Sequence, residues 1–178
     1  MAELDPDTLA KREAALSHVL RYGDPALRAV ARPVERFDAA LAEEVKRMVS
    51  LLDDALGAGL AATQLGVMHR VFVYRADFDE PIEVFVNPEI EWRSEETVAG
   101  EEGCLSIPGV WVEIERAERV RMRGLDARGR ERRVEAEGME ARVLQHELDH
   151  LDGVLMLDRL GKEQRRDAMR ALRNAPHS

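Results

Sequence analysis

Apolar residues recur at helical spacing in the first third of this chain and again near its C-terminus, and at alternate positions between. Residues 5–20 predict a short helix: Asp5 can cap it, Pro6 suits its first turn, and Leu9, Leu16 and Leu20 fall on one side. Tyr22-Gly23-Asp24-Pro25 reads as a turn, and residues 26–37 as irregular chain interrupted by Pro33. A stronger helix spans residues 39–56, with Leu41, Val45, Met48, Leu52 and Leu56 in one stripe and Gly57 as its stop. The period then falls to two, and residues 69–75, 82–86, 89–98 and 111–115 are strand candidates. Arg119-Val120-Arg121-Met122-Arg123 alternates strictly, as a strand with one wet face does, and Asp126-Ala127-Arg128-Gly129 can turn it into residues 130–136. Helical spacing returns over residues 139–151, between Gly138 and Gly153, and over residues 162–174. This order predicts an α+β fold with antiparallel or mixed sheets, an N-terminal helix and a C-terminal helix.

Composition narrows the class. A chain of 178 residues, 45% hydrophobic and 34% charged, suits one globular domain rather than a disordered or membrane-spanning chain. A formal net charge of −9 argues against unspecific nucleic-acid binding over the whole surface. The single cysteine, Cys104, excludes an internal disulfide. No stretch approaches the roughly 20 apolar residues of a membrane span. The acidic start, Met1-Ala2-Glu3-Leu4-Asp5, has no signal-peptide pattern, so a cytoplasmic location is expected.

The chemical signal is His146-Glu147-Leu148-Asp149-His150. Residues four apart share a helix face, so both imidazoles can reach one ion, and Glu147 can lean toward a water activated by it. The plain alternative is a chance pattern on a charged helix, but Met139, Val143 and Leu144 make the segment amphipathic and set the histidines beside a buried face. A catalytic site needs a third protein ligand. The continuation H-x-x-G-x-x-H of one zinc-peptidase class fails here, because Met156 stands where its last histidine belongs. Cys104, His18, His69, His177 and carboxylates remain. Cys104, in Glu102-Gly103-Cys104-Leu105-Ser106, reads either as a small buried apolar residue or as a thiolate ligand. Gly57-Ala58-Gly59-Leu60-Ala61-Ala62-Thr63-Gln64 reads either as an ordinary helix cap or as a tightly packed loop whose one amide, Gln64, can hold an oxyanion.

Together, G-A-G-L-A-A-T-Q, E-G-C-L-S and Q-H-E-L-D-H resemble the three signature motifs of peptide deformylases. The likeness extends through Tyr22 to Arg28, Ala31 to Glu35 and Val86-Asn87-Pro88, and covers roughly residues 18–160. It implies a domain over residues 18–178 built around a central metal-binding helix, with residues 1–17 as an extension. It implies Cys104, His146 and His150 as metal ligands with a water in the fourth position, Glu147 as general acid and base, and Gln64 and the Leu105 N–H as oxyanion donors. Gly59 would approach the substrate backbone. The implied reaction removes the formyl group from the N-formylmethionine of nascent polypeptides, releasing formate. The implied ion is one divalent metal, Fe2+ first, with Zn2+, Ni2+ or Co2+ as alternatives.

Met139 and Val143, on the face of His146, are candidate walls for the methionine side chain. Arg142 stands on that face where some relatives have an apolar residue, and Trp111 where some carry an arginine, which points to altered preference beyond the first residue. Glu102 either supports a ligand, paired with Arg116, or is a solvated carboxylate. Arg165, Arg166, Arg170 and Arg173 fit a solvated helix face, or a contact with ribosomal RNA. The sequence leaves the oligomeric state open. A peptidase cutting internal amide bonds, or a non-catalytic metal module with a closed fourth position, are the rival readings.

Overall fold

Asp5 accepts a hydrogen bond from the Thr8 N–H and starts α1 (Pro6–Leu16); Asp38 does the same for Ala40 and Leu41 at the head of α2 (Ala39–Asp54). The computed structural model describes residues 4–175. Beyond α2 the chain forms β1 (Gly59–Ala61), β2 (Val71–Tyr74), β3 (Glu83–Arg93), β4 (Thr97–Cys104), β5 (Ile107–Ala117), β6 (Arg119–Leu125) and β7 (Glu131–Glu137), then α3 (Gly138–Leu151) and α4 (Lys162–Asn174). This is an α+β fold. A five-stranded sheet has the order β1-β2-β3-β6-β7, and β4 and β5 make a separate two-stranded ribbon. Every strand pair is antiparallel.

The five-stranded sheet lies between two helices because β2 is buried on both faces. Phe72 and Tyr74 pack toward α3, with Phe85, Val120, Met122 and Ala136 and with Ala141, Leu144, Leu148 and Leu151 of the helix. Val71 and Val73 point the other way, onto the α2 stripe of Leu41, Val45, Met48 and Leu52. A third cluster joins Ile107, Val110 and Ile114 of β5 to Met156, Leu157 and Ala168, and so braces the ribbon with α4. A lone two-stranded ribbon is marginal in water, so this cover matters.

The structure moves several predicted boundaries. The first helix ends at Leu16, not 20. The expected strand 89–98 is two strands, because Ser94 accepts from the Arg119 N–H and donates to the Glu96 carbonyl, turning the chain out of β3. The strand expected at 111–115 runs from Ile107 to Ala117. The Gly-Ala-rich segment after α2 is not an open loop: Gly59–Ala61 pairs with β2 and Ala62–Leu65 forms a 3-10 turn. Cys104 is the last residue of β4, facing Ile107 across a two-residue turn of Leu105 and Ser106. Among the described residues, no helix is long and apolar enough to cross a membrane.

Candidate metal centre

α3 is amphipathic, and its apolar side fixes the rotation of the rest. Leu144, Leu148 and Leu151 sit in the core, which turns His146 and His150 toward the ribbon. The two Nε2 atoms are 3.2 Å apart. The hairpin tip brings Cys104 Sγ to 3.4 Å from His150 Nε2. The three ligand atoms all lie within 4.8 Å of one another. Tetrahedral bonds of about 2.0–2.1 Å to nitrogen and about 2.3 Å to sulfur would set N···N and S···N edges of roughly 3.3 and 3.5 Å. The donor set therefore fits one divalent ion.

Electrostatics agree. Burial lowers the affinity of both imidazoles for a proton. Cys104 and Glu102 outweigh this at His146 and raise it well above its usual range. At His150, burial and the neighbouring His146 both act downward. With their Nε2 atoms 3.2 Å apart, the two rings are placed to share one ion.

Glu102 orients His146. Its Oε2 lies 2.9 Å from His146 Nδ1, which turns Nε2 toward the other ligands. Arg116 binds both oxygens of Glu102, at 2.8 and 2.9 Å, and also reaches Asp149 at 2.6 Å. Burial alone would raise the Glu102 pKa, but its bonds to Arg116 and His146 hold it well below the usual carboxylate range. Glu102 and Arg116 are thus a buried pair, and the solvated-carboxylate reading does not hold. The sequence did not reveal the rest of this network. Arg142 lines the cleft as well, and donates to Glu102 and to the carbonyls of Val98, Gly100 and Ile114. It ties the ribbon to α3. Asp149, inside the metal motif, also holds Arg159.

Gln64 is aimed by its own backbone turn. Its Oε1 accepts from the Ala61 N–H at 2.9 Å, which leaves Nε2 to reach Ser106 Oγ at 3.1 Å and Cys104 Sγ at 3.6 Å. Glu147 is buried, and desolvation raises its pKa to about 7 against the opposing pull of His146. Its Oε2 and His150 Nδ1 are buried without hydrogen-bond partners among the described residues.

Gly59 leaves room for that carboxylate. A Cβ there would stand 2.6 Å from Glu147 Cδ and 2.8 Å from Cγ, and would meet Oε1 more closely still. Its φ is not positive, so the constraint is space and not backbone conformation. We expect Gly59→Ala to fold and to hold metal while losing most turnover, since only the Glu147 side chain must move. Metal content, a thermal melt and kcat measured on one preparation check this; unchanged kcat would contradict the crowding argument.

These groups line one cleft of about 590 Å³. Gln64, Cys104, Leu105, His146 and Glu147 lie along it, with Gly59, Val143 and Met139. Val143 is buried, whereas Met139 is exposed at the mouth. Trp111 is 69% exposed and lies against Gly103. Of the other histidines, His18 is exposed and His69 faces Glu44, while His177 is outside the described residues.

The family model described as Polypeptide deformylase matches residues 16–166. A peptide deformylase of Parafrankia sp. is 49% identical over 156 residues, covering 88% of this chain and 85% of that protein. One from Thermotoga neapolitana is 47% identical, covering 81% and 87%. The crystal structure of a peptide deformylase from Legionella pneumophila superposes with a TM-score of 0.84 at 40% identity, over 88% of this chain and 92% of that one. A Synechococcus elongatus peptide deformylase in complex with actinonin gives 0.81 at 38%, over 85% of each chain.

Proposed function

Since this chain belongs to the polypeptide deformylase family, we propose that it removes the N-formyl group from the formylmethionine of nascent polypeptides, with the residues of this cleft in defined roles. The observation that carries the reading is the convergence of Cys104, His146 and His150, with Cys104, His146 and the buried Glu147 lining one cleft.

Cys104, His146 and His150 would hold the ion, three protein ligands leaving a position open. When bound, a divalent ion supplies a nucleophile from water at neutral pH and polarises the formyl oxygen. Glu147 would accept a proton from the attacking water and return it to the leaving amine. A pKa near 7 suits both steps, because base and acid forms are then both accessible. Gln64 Nε2 and the Leu105 N–H donate to the oxygen of the tetrahedral intermediate, held in place before the reaction begins. Gly59 admits the peptide backbone close to Glu147. Val143 and Met139 wall the methionine side chain, and Trp111 offers an exposed face to the residues behind it.

The thiolate-imidazole set suits soft-to-borderline divalent metals; Fe2+ is the first candidate, and Zn2+, Ni2+ or Co2+ fit the same donors. Residues 18–178 form the working domain in this reading, residues 1–17 an extension, and the cytoplasm is where its substrate arises. The arginines of α4 are exposed and suit a solvated helix face better than a contact with ribosomal RNA, and no step depends on them.

The test is product identity. A formyl-methionyl peptide with several internal amide bonds should yield the same peptide with a free methionine amine, plus formate. New internal termini would support the peptidase reading instead.

A further inference from the structure

The cleft extends past the groups that do the chemistry. Its 590 Å³ is ample for a small-ligand site, which typically takes about 300–1,000 Å³. Part of its lining comes from segments with no role above: Arg12 and Leu16 of α1, and Arg75, Asp77 and Phe78 at the end of β2. Apart from Leu16, α1 precedes the residues that match the family.

Arg75 is buried and only partly satisfied. Its Nε donates to the Gly57 carbonyl at 2.9 Å and its Nη1 to Asp53 at 3.1 Å, but Nη2 is buried with no partner among the described residues. A charged donor left unpaired is costly, so this one is poised for an acceptor. The guanidinium carbon lies 4.8 Å from the centre of the Phe78 ring, a cation–π contact with a ring that is itself 61% exposed. Arg12, half-buried and lining the same cleft, makes no ion pair among the described residues. Asp53 pairs with Arg75, and the exposed carboxylates of Asp77 and Glu101 also line the cleft, so long-range charge does not draw an anion here. Any selectivity here must come from direct contact.

We infer that Arg12 and Arg75 form an anion subsite that favours an acidic side chain among the residues just after the formyl-methionine. The inference rests on the deformylase reading. A carboxylate accepts from Arg75 Nη2 and meets Arg12 in the same cleft. Charge-assisted hydrogen bonds of this kind are stronger than neutral ones but weaken with exposure and salt.

The experiment compares formate release from formyl-methionyl peptides carrying Ala, Glu or Lys at the second, third or fourth residue. At one of these positions kcat/KM for Glu should exceed that for Lys by about 3- to 10-fold, and high salt should shrink the ratio. Arg12→Glu should invert the ratio, and Arg75→Lys should reduce it. The ratio is read within each variant, so a partial loss of fold cancels. Equal rates for Glu and Lys at every position, or a preference that survives Arg12→Glu, would overturn the subsite while formate from the Ala peptide left the deformylase reading intact. No formate from the Ala peptide under any metal would overturn both.

Discussion

Glu147→Gln should bind metal as the parent does and release formate about 10²–10⁴-fold more slowly, the range expected for one general acid-base group. The substitution keeps the shape that Gly59 accommodates, so it removes proton transfer without disturbing packing. Glutamine can neither take a proton from the nucleophile nor return one to the leaving amine. Its amide also lacks the negative charge that a neighbouring cation favours. The measurement pairs metal content with kcat on the same sample. Full turnover by this variant would remove Glu147 from the mechanism; loss of metal together with loss of turnover would make it a ligand instead.

Glu102→Ala should damage stability and metal binding together. Arg116 and Arg142 are both buried and would each lose a partner, and His146 would lose the acceptor that fixes its ring. Breaking a buried ion pair from one side costs about 3–5 kcal/mol. Losing the group that orients a metal ligand lowers affinity about 10- to 100-fold. Asp149 still holds Arg116, which places the stability loss toward the lower end. Urea unfolding of the metal-free protein and competitive metal titration read the two effects separately. The pH dependence has a definite sign. The Glu102 pKa is depressed in the folded state, so its contribution is complete above the ordinary carboxylate value of 4.5 and fades as pH falls below it. The stability gap between parent and Glu102→Ala should therefore narrow in acid. A gap that widened there would mean that Glu102 is not held as a charged partner.

The parts legible in the sequence were those governed by local spacing. The stripe of Leu41, Val45, Met48 and Leu52 on α2 and the i, i+4 histidines on α3 lie where one helical period puts them, but α2 stops at Asp54 and Leu56, expected on the stripe, is exposed at positive φ beyond it. The strict alternation at 119–123 gave β6. Boundaries set by single side chains over longer range were not legible. The break between β3 and β4 depends on Ser94 meeting Arg119, which no period announces. Gly59–Ala61 is too short to show alternation and is a strand only because β2 pairs with it. At the site, Cys104 and Gln64 stood out by their motifs and Arg142 lies in the cleft as expected, but its partners were not legible. Its guanidinium reaches Glu102 and three carbonyls, because hydrogen bonds compensate the burial of a cation. The pairing of Asp149 with Arg116 and Arg159 joins three elements and has no one-dimensional trace.

The most direct test of the central claim is a metal titration of the metal-free protein, under anaerobic conditions, with formate release from a formyl-methionyl peptide as the readout. The Cys104, His146 and His150 cluster holds one ion in this account, so activity should rise in proportion to added Fe2+ or Co2+ and level off at one equivalent. Formate release that ignores metal, or none at any loading, would contradict it.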